Sequence, residues 1–225
     1  MASDVEIPAR KPRAGALRRL EFGALYLAAP VAMAVLLPPS MMFSMLFLVT
    51  GVGIVLLHVT EGFRWRDLVA GVGRIDWRFV ALFCLATVVV GAAVIWLTRP
   101  EAFLFLIRQN PGLMLAIALL YPLVSALPQE VVFRPLFFHR YAALLPVGVT
   151  AQVLLNSAIF SLAHLMYWSW IVAAMTFSGG LAFAWAYRVR GNFPEAVVLH
   201  SLAGVIVFAL GLGVYFYSGN VVRPF

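Results

Sequence analysis

The chain has 225 residues, of which 64% are hydrophobic and 11% charged, with a mean hydropathy of +0.98 and a formal net charge of +7. Soluble domains carry about 25% charged residues, so this composition excludes a soluble globular fold. Several apolar runs of roughly 17 residues or more are each long enough to cross a hydrocarbon core about 30 Å thick.

The first twenty residues place Arg10, Lys11, Arg13, Arg18 and Arg19 ahead of an apolar run. They read as a basic cytoplasmic tail (1–20), followed by a single membrane domain (21–225). No small-residue cleavage site followed by a soluble mature domain comes after that run, so a retained anchor is expected. Seven spans follow in order: Phe22–Leu37, Met41–Val59, Phe79–Leu97, Leu113–Leu127 continuing into the Glu130 segment, Val147–Leu165, Trp168–Tyr187 and Glu195–Tyr217. Continuous apolar runs without alternation exclude a β-barrel and leave an all-α polytopic helix bundle. The single cysteine, Cys84, lies inside a span, so no internal disulfide is available.

Arginine and lysine set the expected orientation. Thirteen fall in the tail, in Glu61–Arg78, at Arg134 and Arg140, and at Arg188 and Arg190; three fall on the other side, at Arg99, Arg108 and Arg223. The N-terminus is therefore expected in the cytoplasm and the C-terminus outside, in an inner or plasma membrane. The positive charge then lies beside anionic lipid, and a nucleic-acid partner is not needed to explain it. Glu61–Arg78 and Pro100–Pro111 mix charged and aromatic residues and are expected to lie on the headgroups.

Glu130 is the only acidic residue lying inside a hydrophobic span. A carboxylate there costs at least about 2.5 kcal/mol unless it is paired or neutralised. Pro122 and Pro128 interrupt the same span, and the residue before a proline is pushed away from helical geometry. A broken or re-entrant helix is expected near Pro128, with Glu130 in the first turn of a fresh helix at the positive end of its dipole. Arg134 follows four residues on, in the favourable order for a pair on one face.

In the fifth span Asn156, Phe160 and His164 recur every four residues and share a helix face. His164 is either a polar-cavity residue or a histidine bonded to a neighbouring helix, and Asn156 suits helix-to-helix bonding. His200 lies in the first third of the last span, beside the small residues Ser201 and Gly204. His58 and His139 sit at span ends and read as interfacial. Glu130, His164 and His200, if brought to one pocket, support two chemistries. One is a divalent metal held with water in an open position; the other is direct activation of water without a cofactor. No HExxH pattern is present.

Three segments carry a family resemblance. Gln129-Glu130-Val131-Val132-Phe133-Arg134 resembles an EExxxR motif, Phe160-Ser161-Leu162-Ala163-His164 matches FxxxH, and His200 with Gly204 resembles a histidine followed four residues on by Asn or Asp. In this order, over about Leu113–Tyr217, they are similar to the CPBP intramembrane proteases, which include the type II CAAX prenyl endopeptidases and bacterial Abi proteins. The resemblance implies hydrolysis of a peptide bond in a membrane-anchored protein or peptide, with the first glutamate and the middle histidine activating water and the last histidine and the asparagine after it stabilising the oxyanion. Applied here, it implies Glu130 as base, His164 orienting water and His200 at the oxyanion, with Arg134 holding Glu130 and Gln129 donating to water or substrate.

Two positions depart from the motif. Gln129 replaces the first glutamate, and an amide cannot act as a general base; Gly204 lacks a side-chain donor. Glu130 lies about 100° further round the helix than residue 129. Besides the variant protease, this leaves open a catalytically degenerate binding or immunity protein, or an introduced change at Gln129. A two-histidine haem or metal carrier using His164 and His200 is a further alternative.

Overall fold

The computed structural model describes residues 15–224, so Arg10, Lys11 and Arg13 lie outside the described residues. Among the described residues seven long helices form the bundle: α1 (16–35), α2 (Pro39–His58), α3 (Trp77–Thr98), α4 (Pro111–Arg140), α5 (Val149–Tyr167), α6 (Trp170–Arg188) and α7 (Phe193–Leu210). No strand occurs among the described residues. Six of the helices, α2 to α7, are long and apolar enough to cross a membrane. The chain is an integral-membrane helix bundle.

α1 begins in the charged stretch Arg18-Arg19-Leu20-Glu21, which shortens its apolar part and sets it apart from those six. It nevertheless runs the height of the bundle. At one end Glu21 receives both Arg140 Nε and Nη2, at 2.7 and 2.9 Å; at the other, Trp168 Nε1 donates to the Ala34 carbonyl at 3.3 Å. Midway, the Tyr26 hydroxyl donates to the Val132 carbonyl of α4 at 2.7 Å, inside a cluster formed with Phe22, Phe133, Phe137 and Tyr141.

The break expected near Pro128 does not occur: α4 is continuous for 30 residues. Its prolines are absorbed by wide π turns at Pro122–Ala126 and Val132–Arg140, the second of which contains Pro135. A proline lacks an N–H and its ring meets the carbonyl four residues back; closing the turn to the fifth residue instead relieves both conflicts without ending the helix. α1 uses the same device, with a π turn at Ala24–Ala28 ahead of Pro30. Glu130 consequently sits deep within a long helix, where the N-terminal dipole cannot stabilise it.

α5 and α6 form a close antiparallel pair because Gly180 carries no side chain: a Cβ there would lie 3.2 Å from Ser157 Cα. α7 packs on α3, α4 and α6. α7 ends at Leu210 rather than near Tyr217, because Gly211 turns left-handed at φ 98° and caps it, and only the short helix Gly213–Phe216 follows. The Pro100–Pro111 segment folds across that end, with the Leu104 N–H donating to the Leu210 carbonyl at 3.2 Å. It is therefore tied to α7 as well as placed at the bundle edge.

At the opposite end the Glu61–Arg78 loop is tied down by Asp76. Its Oδ1 caps α3 by accepting from the N–H groups of Arg78 and Phe79 at 3.0 and 3.1 Å, and its Oδ2 meets Arg190 at 3.1 Å. Arg190 also pairs with the fully buried Glu195 at 2.7 Å, and the Asp76 N–H donates to Glu195 at 2.8 Å. The Phe79 N–H, helped by Arg190, holds the Asp76 carboxyl below the ordinary aspartate range. A depressed folded-state pKa stabilises the fold above the unfolded-state value and ceases to do so as pH falls through the folded-state value. Asp76→Ala is expected to lower the thermal midpoint in detergent at pH 7. The gap from the unsubstituted protein should close as the pH is brought below the aspartate range.

Candidate active site

Glu130 and Arg134 stand one turn apart on α4, and both are fully buried. Arg134 Nε donates to Glu130 Oε2 at 2.8 Å and Nη2 to Oε1 at 3.3 Å. Its remaining nitrogen, Nη1, bonds Asn156 Oδ1 on α5. Asn156 Nδ2 in turn donates to the Phe133 carbonyl at 2.7 Å. Asn156 therefore joins α5 to α4, and the guanidinium has all three nitrogens engaged. Its Cζ lies over the Phe160 ring, 5.2 Å from the ring centre. Being buried, Arg134 does not count among the loop charges, which leaves the arginine excess on its side of the bundle in place.

The second oxygen of Glu130 reaches a third helix: His200 Nδ1 on α7 lies 2.9 Å from Oε1. A carboxylate only accepts, so the proton on this contact belongs to Nδ1, and a neutral His200 then presents a lone pair at Nε2. Nε2 lies 3.3 Å from the Tyr121 hydroxyl. The imidazole is fixed further by stacking on Phe183, with ring centres 4.8 Å apart and planes 8° from parallel, and by the edge contact of Phe160 at 5.5 Å. His164 is held in the same manner. Its Nδ1 meets the Phe160 carbonyl at 2.8 Å, which leaves its Nε2 as an acceptor.

These groups border a cavity of about 520 Å³. Its walls are apolar, drawn from α1, α2, α3 and α6 through residues such as Leu25, Met45, Phe83 and Met175, and its polar lining includes Tyr121, Ser125, Gln129, His164 and His200. Glu130, Arg134 and Asn156 are absent from the lining. Of the two neighbouring positions it is Gln129 that faces the cavity, where it donates through Nε2 to Ser125 Oγ at 3.0 Å. Glu130 faces away, toward α5 and α7. Phe160 and Gly204 also line the cavity. Among the described residues no group of three or more His, Cys, Asp and Glu side chains converges closely enough to hold a metal ion.

The structure gathers Gln129, Glu130, Arg134, Asn156, Phe160, His164, His200 and Gly204 in one region, together with three residues not expected from the sequence: Tyr121, Ser125 and Phe183. Tyr121, Ser125 and Gln129 recur every four residues along α4, a spacing that placed them on one face. Phe183 gave no signal, since an aromatic ring among apolar residues is ordinary core. His58 is exposed, and His139 packs between Phe63 and Tyr187 at the arginine-rich end, apart from the cavity.

Removing one member of a buried ion pair strands the other charge, at a cost of about 3–5 kcal/mol. Arg134→Met is expected to destabilise the protein by about that much. Adding Glu130→Gln to Arg134→Met should recover a large part of the loss in a double-mutant cycle of unfolding in detergent.

Residues 111–217, which span α4 to just past α7, match the family model of the type II CAAX prenyl endopeptidase Rce1-like proteins. No curated protein and no solved structure matches the chain. The segment includes every polar side chain of the site described above, and the resemblance carried by its three motifs agrees with the match. Over these residues, just under half of the chain, it is similar to the Rce1-like type II CAAX prenyl endopeptidase family.

Proposed function

We propose that this protein is an intramembrane endopeptidase that hydrolyses a peptide bond in a membrane-anchored protein or peptide, and that His200 rather than Glu130 takes the proton from water. The observation that carries this reading is the Glu130–His200 contact at 2.9 Å behind a cavity that Glu130 itself does not line. A carboxylate on Nδ1 fixes the tautomer and supports the imidazolium that forms when Nε2 accepts a proton, the role of the aspartate in serine hydrolases. Glu130 is on this account a positioning residue, and Arg134 and Asn156 hold it in place. His164, with its own Nε2 free to accept, orients the water, and Gln129 contributes an amide beside it.

In the reaction the water oxygen bonds to the carbonyl carbon, its proton passes to His200 Nε2, and the carbonyl electron pair moves onto oxygen. When the intermediate collapses, the C–N bond breaks and the leaving nitrogen takes the proton from His200. The apolar walls suit a substrate that brings a lipid chain or a hydrophobic segment with it, and the family name points to prenylated peptides. The arginine-rich end of the bundle belongs on the cytoplasmic side by the positive-inside rule. Because Gln129 supplies no carboxylate, a membrane-peptide binder without hydrolytic activity is the competing reading.

Cleavage of membrane-anchored peptides, with and without a prenylated cysteine, by protein purified into bilayer discs separates the two. The unsubstituted protein should cut, and His200→Ala should reduce the rate by about 10²- to 10⁴-fold. Glu130→Gln should also slow it, and Gln129→Glu should leave cleavage intact or faster. Cleavage seen only with Gln129→Glu would replace the protease reading with the binding one.

A further inference from the structure

Gly204 lies one turn beyond His200 on α7, and the space a side chain would need there is taken: a Cβ would fall on the ring of Tyr121. Tyr121 crosses from α4 to fill that space, and its hydroxyl ends 3.3 Å from His200 Nε2 at the cavity wall. Three other hydroxyls on the lining are committed elsewhere. Thr87 and Thr176 donate to carbonyls of their own helices, at 2.8 and 2.7 Å, and Tyr167 donates to Met42 Sδ at 2.9 Å. The Tyr121 proton instead faces an imidazole lone pair that, on the reading above, must be vacated when water binds.

We propose that the Tyr121 hydroxyl is the oxyanion donor of this site, supplied from α4 in place of any side chain at residue 204. The inference rests on the protease reading. Water arriving at His200 Nε2 displaces the Tyr121 O–H, which turns about its C–O bond toward the substrate carbonyl. As the water oxygen adds to the carbon and His200 takes the proton, the negative charge formed on the carbonyl oxygen is met by that hydrogen bond. The charge returns to the carbonyl when the C–N bond breaks, and Tyr121 keeps its proton throughout. Gly204 is required because any larger residue would drive the ring from this position.

Tyr121→Phe removes the hydroxyl and keeps the ring over Gly204, so packing is preserved. In kinetics on a membrane-anchored peptide, kcat should fall by about 10²- to 10³-fold, the loss typical of one oxyanion donor, with KM unchanged. A phosphonate analogue of the same peptide, which carries a tetrahedral anion, should bind the unsubstituted protein more tightly than Tyr121→Phe, while the uncleaved peptide binds both equally. Unchanged kcat, or equal phosphonate binding by the two proteins, overturns the role of Tyr121 while leaving the protease reading standing. Failure of the unsubstituted protein to cut any peptide sinks the protease reading, and this inference falls with it.

Discussion

A carboxylate and a guanidinium at the centre of a hydrophobic bundle must each find a full set of partners, because desolvating either ion costs several kcal/mol even after relaxation. Glu130 and Arg134 meet that condition by recruiting three helices. Arg134 bonds the carboxylate and Asn156, Asn156 closes back onto the Phe133 carbonyl, and Glu130 reaches His200 on α7. The set is completed only when α4, α5 and α7 sit in one register. The network therefore fixes relative helix positions in a medium where apolar contacts alone discriminate weakly.

The same network decides which groups are left for chemistry. Each histidine spends Nδ1 on an internal acceptor, a carboxylate for His200 and a carbonyl for His164, and presents Nε2 outward. Aromatic rings from α4, α5 and α6 set the tilt of His200. What the cavity meets is thus a set of oriented acceptors with a tyrosine hydroxyl beside them, backed by a charge pair sealed from it. That division between buried charges and cavity-facing neutral groups lets a polar site exist among apolar walls.

Much of this could be read from the residues. An acid, two histidines and an asparagine within apolar runs stand out because each is costly unless partnered, and the four-residue spacings of Glu130–Arg134 and Asn156–Phe160–His164 announced shared faces. The facing of Gln129 and Glu130 was not legible: neighbouring residues differ by about 100° round a helix, and the π turns at Pro122–Ala126 and Val132–Arg140 shift the phase by an amount that no periodicity reveals. For the same reason the prolines of α4 suggested a break where the helix continues. The fit of Tyr121 over Gly204 joins positions far apart in the chain, and the end of α7 at Gly211 turns on a single left-handed residue.

The central claim is that Glu130 acts on the site through the imidazole of His200. Nitrogen-15 NMR of histidine-labelled protein in bilayers reads this directly. The account predicts that neutral His200 carries its proton on Nδ1, in a strong hydrogen bond whose resonance shifts when Glu130 is replaced by glutamine. A His200 protonated on Nε2, with signals indifferent to that replacement, would contradict it.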